Sequence, residues 1–499
     1  MIRIDGRPIL TAAAMRAAEA EDGAMTGGVT VDTLMARAGA AIAVAVRRLA
    51  GDRAVLVLCG PGNNGGDGYV AAAALKAAGH PVRVAALAAP RSDAAIRARA
   101  GWDGPVEPLA DAMPAPVLVD ALFGTGLTRP LGNCRSPAKA GAQVGDVDGS
   151  HHDLPDWAPA SAGERPVGQI LHALAAAATL TIAVDLPSGV DTDSGAVLTE
   201  PPLFDVTLAL GAAKPSHVLQ PAARYSRHVR ILDIGVATAS DAAVLAAPTL
   251  PEPGPDSHKY TRGMVAVVAG TMAGAAELAS MAAMRSGAGY VALLGETHGS
   301  PHAIVRKPLT DRALTDPRVG AIAVGPGLGR DERARAKLAQ ALGAGRPIVV
   351  DGDALHLTDP ATLARHGAPV ILTPHAGEFA ALFGPAHADK IARARDAARR
   401  SDAVVVFKGA DTVIAAPDGR VTAARDANDW LSTAGSGDVL VGIVAAMLAS
   451  GMAPFEAAGA AVWLHGAAAR RCGRAFVADD LAAALTPARA ALAPEETRA

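Results

Sequence analysis

Short apolar runs recur along this chain, most closing on glycine or aspartate and several giving way to an alanine-rich stretch of helical length. They lie at 54–59, 82–87, 116–120, 180–185, 206–211 and 228–234, and again at 264–269, 290–294, 320–324, 347–351, 369–373 and 403–408. A run that is apolar on every residue is a strand covered on both faces. A helix's length between two such runs returns the second parallel to the first. The predicted class is therefore α/β, built on doubly wound parallel sheets. Composition agrees, since aromatics are only 3% while 53 of 499 residues are glycine, which suits small-residue packing of helix on sheet better than an all-β sandwich.

Helical stretches at 11–20 and 32–50 open the chain, and the Pro-rich passage "APTLPEPGPDSHKYTRG" at 247–263 interrupts the alternation. That interruption predicts two domains, 1–245 and 258–499, joined by a linker at 246–257. Within the first, residues 133–167 have no periodicity and many turn formers, and read as a surface insertion. Its adjacent His151, His152 and Asp153 point to loop rather than metal, because neighbours in irregular chain seldom converge on one ion. "TVIAAPDGRVTAA" reads as a hairpin turning on Asp418–Gly419.

Forty-six basic and 49 acidic residues are interspersed, for a net charge of −3, which disfavours nucleic acid and anionic membranes as partners. Cys59, Cys134 and Cys472 form no CxxC pair, which argues against a disulfide framework or structural zinc and fits a reducing cytosol. The N-terminus carries no signal-peptide h-region. The apolar stretches 171–184 and 439–455 are too short or too interrupted to span a bilayer and read as buried helices. A cytoplasmic protein acting on small molecules, assembled as a homo-oligomer, is expected.

In open parallel sheets, ligands sit beyond the carboxyl ends of strands. Three polar clusters of the first half fall there: "NNGGD" (63–67), Asp120 with "GTGLTRP" (124–130), and "DLPSGVD" (185–191). Glycines at a helix start allow backbone N–H groups to approach a phosphate. Taken singly, the 60–68 loop reads equally well as a tight βα turn, and Asp120 and Asp185 as helix caps. The three together at equivalent strand ends point to one ligand crevice. Asn64, Asp120 and Ser188 offer only hard oxygens, suited to an alkali or alkaline-earth cation. No GxGxxG with a ribose-binding acid is present, so a hydride-transferring dehydrogenase is not indicated.

In the second half, "STAGSGDVLVGIVAAML" (432–448) places small residues at a helix start, where amides near 435–438 can form an anion hole. Asp438 falls in the first helical turn, able to take the proton of an attacking hydroxyl, as phosphoryl transfer to an alcohol requires. "FKGADT" (407–412) closes a strand, and its Lys408 and Thr412 can address nucleotide phosphates or ribose. "TPHAGEF" (373–379) brings His375, either a satisfied loop histidine or a ligand contact, and Glu378. "VGPGLGR" (324–330) is a further glycine loop.

"GPGNNGGDG", "GTGLTRP" and "VDLPSGVD" closely resemble NAD(P)H-hydrate epimerases over most of 10–235 apart from the insertion. The second-half motifs resemble ADP- or ATP-dependent NAD(P)H-hydrate dehydratases over nearly all of 255–490. The whole chain is thus similar to the bifunctional NAD(P)H-hydrate repair enzymes. The resemblance implies a Rossmann-like three-layer sandwich followed by a ribokinase-like one. It implies that Asn63, Asn64, Gly65, Gly66 and Asp67, with Gly124, Thr125, Gly126, Leu127, Thr128, Arg129 and Pro130, hold the hydrated dinucleotide. Asp185 would be the catalytic carboxylate, and Asn64, Asp120 and Ser188 would bind potassium. Ala275, Gly327 and His375 would contact the hydrated cofactor in the second site. There Lys408, Gly409, Ala410, Asp411, Thr412 and Gly437 would hold ADP or ATP, with Asp438 as base. Magnesium is expected with the nucleotide, Glu378 being the candidate ligand. Ala36 replaces an often polar residue of the family, and the insertion directly follows the 124–130 loop. The alternative reading is a C-terminal small-molecule alcohol kinase beside a non-catalytic nucleotide-binding module.

Overall fold

Every apolar run expected to be a strand forms one, and the central ones, such as Val55–Cys59 and Val117–Ala121, are buried at every residue. The computed structural model of the chain describes residues 1–25, 30–135, 164–297, 299, 301–385, 388–425 and 428–492. These fall into two units, Met1–Ser240 and Asp241–Ala499.

Among the described residues of the first unit, eight strands form one sheet. Their order is Ile2–Arg3, Ser226–Leu232, Phe204–Leu210, Leu180–Val184, Val117–Ala121, Val55–Cys59, Val82–Ala86 and Val106–Pro108. All neighbours are parallel except the Ile2–Arg3 edge, which pairs antiparallel with Ser226–Leu232. The chain winds outward from Val55–Cys59, crosses back to Val117–Ala121, and winds outward the other way. That reversal opens a crevice between the two strand ends. Alternate residues split the core in two. Val55, Val57 and Cys59 pack with Ile42, Val46 and Tyr69 on one face. Leu56 and Leu58 meet Val167, Ile170 and Leu174 on the other. This is the expected three-layer sandwich.

Residues 136–163, most of the 133–167 insertion and including His151, His152 and Asp153, lie outside the described residues. The ends of the insertion do not. Asn133–Arg135 pairs antiparallel with Glu164–Pro166, and Val167 N donates to Gly132 O at 3.0 Å just below that pair.

The second unit repeats the winding. Outward from Met264–Val268 lie Tyr290–Leu294 and Val305–Lys307; after the reversal come Val319–Val324, Ile348–Val350, Val370–Leu372 and Val404–Phe407, all parallel. The predicted hairpin follows, Val413–Ala415 against Val421–Ala423, with Gly419 N bonded to Ala416 O at 3.0 Å. Ala242–Val244 adds a parallel edge strand to this hairpin. The division at 240/241 therefore precedes the expected 245/246 boundary, because three residues assigned to the first domain are hydrogen-bonded into the second sheet. The short edges Ile2–Arg3, Val106–Pro108, Ala242–Val244 and Val305–Lys307 escape sequence reading because two or three residues show no period.

Helix Ser436–Ala449, apolar all round, is the core of this unit, buried against Ala273–Arg285 and Pro454–Cys472. No helix among the described residues is long and apolar enough to cross a membrane. Close helix approach depends on Gly442, where an added Cβ would lie 2.1 Å from the Ala279 carbonyl oxygen. Gly442→Ala is therefore expected to cost about 1–3 kcal/mol through backbone displacement. Gly343→Ala, at a helical position with nothing within 4 Å, is expected to be neutral or slightly stabilising. Scanning calorimetry of the two variants checks the contrast.

Candidate active sites

The three polar clusters of the first unit converge. Asn64 Nδ2 donates to Val184 O at 3.4 Å, and a Cβ built on Gly124 would stand 3.1 Å from both Asn64 Oδ1 and Asp185 Oδ2. One residue of each cluster thus meets at a single point. Asp120, next to last in its strand and fully buried, accepts from Leu122 N (3.1 Å), Ser188 N (2.9 Å) and Ser188 Oγ (2.8 Å). Burial raises its carboxyl to about 6, against those hydrogen bonds. Ser188 Oγ also accepts from Phe123 N at 2.9 Å, tying the turn before Gly124 to the "DLPSG" loop. Buried Leu127 anchors the 124–130 loop, while Thr128, Arg129 and Pro130 are exposed.

Asp185 stands just beyond strand Leu180–Val184 with φ 63°, a left-handed conformation uncommon for a residue with a side chain. Lys214 Nζ donates to its Oδ1 at 2.5 Å, and Leu210 N to the same oxygen at 3.2 Å. Asp67, in the first turns of helix Asn63–Ala77, is also buried. Burial foremost, then the charges of Asp185 and Glu19, push its carboxyl well above the usual range, with Lys214 opposing.

The glycine loop has two purposes. The positions a Cβ would take at Gly60, Gly65 and Gly68 are filled by Leu122 O, Gly60 O and Ala121 Cβ, so these glycines let helix, strand and turn close on one another. Gly62 instead opens on empty space and begins helix Asn63–Ala77 with no side-chain cap. The amides of that first turn have no intrahelical acceptor and are presented outward. Asn63 Oδ1 accepts from Ser92 Oγ at 2.5 Å.

The second site is built at strand ends Val350, Leu372 and Phe407. Asp351 is buried; its Oδ1 accepts from Thr373 Oγ1 at 2.6 Å and Lys408 Nζ at 2.7 Å. Glu378 Oε2 is 3.9 Å from the same ammonium. Burial pulls Lys408 down, but Asp351, Glu378 and Asp438 outweigh it and leave it raised, a firm cation. Asp438 occupies the first turn of Ser436–Ala449, half-buried; burial first, then Asp351, raises it to about 6. Gly435 starts the helix in the left-handed region, φ 86°, and no side chain caps it. His465, half-buried and lowered to about 4 by that burial, is neutral and donates through Nε2 to Ser436 O at 2.9 Å, fixing this turn from beneath.

The predicted nucleotide loop is self-braced. Thr412 Oγ1 donates to Gly409 O at 2.9 Å, and Asp411 pairs with Lys390 at 2.6 Å, leaving Gly409 and Ala410 exposed. Gly437 adjoins this loop, since its Cβ would lie 3.4 Å from Lys408 Nζ. Gly327 packs on Ala275, as a Cβ there would be 3.1 Å from that of Ala275. His375 caps helix Ala376–Phe383: Nδ1 accepts from Gly377 N and Glu378 N, and Glu378 Oε2 accepts from His375 N at 2.8 Å. Glu378 is therefore already engaged in a capping box. Among the described residues no group of three or more His, Cys, Asp or Glu is arranged to hold a metal.

Sequence reading passed over Asp351, Thr373, Lys214, His217 and His465. Asp351 carries the signal that singled out Asp185, an aspartate closing an apolar run ("PIVVD"). The others carry none, because Lys214 in "LGAAKPSH" and His465 inside a helix look like surface residues.

A model of the N-terminal part of YjeF-related proteins matches residues 31–143, and a model of NAD(P)H-hydrate dehydratase matches 265–488. A bifunctional NAD(P)H-hydrate repair enzyme of Thermofilum pendens is 33% identical over 495 residues, covering 88% of this chain and 87% of that protein. The corresponding enzyme of Salinibacter ruber is 34% identical over 553 residues, covering 95% and 94%. A solved ADP/ATP-dependent NAD(P)H-hydrate dehydratase from Bacillus subtilis, co-crystallised with ATP and Mg2+, is 31% identical; it covers 49% of this chain and 95% of that one, with a TM-score of 0.44.

Because Gly437 lies in a helical turn, Gly437→Ala is expected to keep or slightly raise Tm. Its methyl group stands at the mouth beside Lys408, so adenine-nucleotide affinity is expected to fall by about tenfold or more, measured by calorimetric titration.

Proposed function

Because the chain belongs to the bifunctional NAD(P)H-hydrate repair enzymes, we propose that its N-terminal half interconverts the two epimers of hydrated NADH and NADPH. Its C-terminal half dehydrates one of them at the expense of an adenine nucleotide, ADP before ATP. The observation that carries the second activity is Asp438, a half-buried carboxylate raised to about 6 at an uncapped helix start, opposite Lys408.

In this reading Asp438 takes the proton of the ring hydroxyl as its oxygen attacks the terminal phosphorus of the nucleotide. The amides of Gly437 and Asp438 receive the migrating phosphoryl group, and Lys408 faces its charge. The bond from that phosphorus to the rest of the nucleotide breaks as the new one forms, releasing AMP from ADP or ADP from ATP. Phosphate then leaves with the electrons of the ring C–O bond while the neighbouring ring carbon gives its proton to water, and the C–H electrons restore the nicotinamide double bond. Magnesium, when bound, offsets charge on the nucleotide. Such an ion would be bound chiefly by phosphate oxygens, with Asp351, Glu378 and Asp438 the carboxylates grouped about Lys408.

In the first half, Asn63 through Asp67 and Gly124 through Pro130 would enclose the hydrated dinucleotide, with its phosphates on the uncapped amides after Gly62. Asp185 would act on the hydrated ring. The oxygens of Asn64, Asp120 and Ser188, hard donors without sulfur or imidazole, fit potassium, whose charge would hold the 122–124 turn against the substrate.

The test is recovery of reduced-nicotinamide absorbance when purified protein meets mixed hydrate epimers, with and without ADP or ATP. Asp438→Ala is expected to lower dehydration by about 10²- to 10⁴-fold, the usual worth of a general base, while epimerisation continues. Accumulation of a phosphorylated product without reduced nicotinamide would instead identify an alcohol kinase. A base must be ionised to act, so dehydratase kcat is expected to fall as pH drops through about 6, read from a pH–rate profile.

A further inference from the structure

Lys214 is 1% exposed, yet it carries a charge. An ammonium is kept out of water only where its hydrogen bonds and a counter-charge compensate the desolvation. Its Nζ donates to Asp185 Oδ1 at 2.5 Å and to Leu210 O at 2.6 Å. Leu210 N donates to the same carboxylate oxygen at 3.2 Å, so Oδ1 is doubly held while Oδ2 is the oxygen facing Gly124 and the crevice. The backbone of Asp185 is held from the same segment. His217 Nδ1 accepts from Lys214 N at 2.9 Å, which leaves the proton on Nε2 to donate to Asp185 O at 2.8 Å. One turn of chain, 210–217, therefore fixes both the left-handed backbone and the carboxylate rotamer of Asp185.

The charges nearby make this arrangement selective. Glu19 and Arg16 come from helix Ala12–Met25, Asp67 from helix Asn63–Ala77, and His217 from the turn itself. Three carboxylates, Glu19, Asp67 and Asp185, thus lie in the field of Lys214, and the ammonium is hydrogen-bonded to Asp185. Burial raises Glu19 and Asp67, favouring their protonated forms.

We propose that Lys214 is the positioning residue of the epimerase site: it holds Asp185 as the carboxylate that meets the hydrated ring and turns Oδ2 toward it. The assignment rests on the epimerase reading given above. Lys214 acts through Asp185 and need not touch the substrate, which separates its role from those of the binding loops. A buried ion pair with only a structural task would give the same distances, but its loss would lower Tm without a selective loss of epimerisation kcat.

The full chain, wild type and with Lys214→Met or Lys214→Gln, is assayed for epimerisation of NADH hydrate across pH, with dehydration of the competent epimer and Tm followed in parallel. The expected result is a fall in epimerisation kcat of about 100-fold. KM changes little, and a further variant, Lys214→Arg, which keeps a cation beside Asp185, recovers part of the lost kcat. Dehydratase activity stays as in wild type. An epimerisation kcat that falls no further than dehydration does, a rise in KM in its place, or no change at all, overturns the proposal. Should both neutral variants misfold, Lys214→Arg decides it alone: a lowered kcat at wild-type KM and wild-type dehydration supports the proposal, and a wild-type kcat, or a KM effect in its place, overturns it. A wild-type protein without epimerisation sinks the epimerase reading itself and is told apart by that alone.

Discussion

Each unit is organised around a buried lysine ammonium bound to the aspartate that ends a parallel strand. Lys214 meets Asp185 beyond Leu180–Val184, and Lys408 meets Asp351 beyond Ile348–Val350. A charge pair removed from water is compensated only when further donors and acceptors complete it, and both pairs are completed. Leu210 N and Leu210 O serve the first, Thr373 Oγ1 the second. Losing one partner would strand the other at a cost of about 3–5 kcal/mol. Parallel strands make such pairs possible because they bring several chain ends to one edge, where a lysine one strand away, as Lys214, or two, as Lys408, can reach.

Around these pairs, helix starts divide by the use made of their amides. Ser92, Asp331, Asp359 and Asp389 satisfy the first turns of their helices with a side-chain oxygen. Helices Asn63–Ala77, Ala273–Arg285 and Ser436–Ala449 begin at Gly62, Met272 and Gly435 without one. These last three are the helices that carry the residues assigned to substrate and nucleotide. Val167–Ala177 and Pro454–Cys472 also start without a side-chain cap; in the reading proposed above, the free donors of the three would meet a ligand's oxygens, with the favourable end of the helix dipole behind them.

The winding of both sheets was legible because a strand buried on two faces must be apolar throughout, whereas its loops must be polar. The carboxylates that close such runs were legible for the same reason; Asp120 and Asp185 were read, and Asp351 was missed although it carries the same mark. The partners were not legible. Lys214 is identified by an ammonium 29 residues along the chain from its aspartate, and His465 by a carbonyl 29 residues before it. Neither distance leaves a pattern in sequence. The glycines of 60–68 were read as room for phosphates, yet most admit protein atoms, because absence of a side chain does not tell which neighbour requires it.

The paired neck at Asn133–Arg135 and Glu164–Pro166 has a consequence of its own. Leu131 N is bonded to Thr199 Oγ1 at 2.8 Å and Gly132 O to Val167 N, so the chain leaves and re-enters the sandwich through a fixed doorway. Loop-closure entropy grows only slowly with length once the ends are pinned. Segments of very different size can therefore be exchanged at this port through evolution or by engineering, with the crevice behind it left undisturbed.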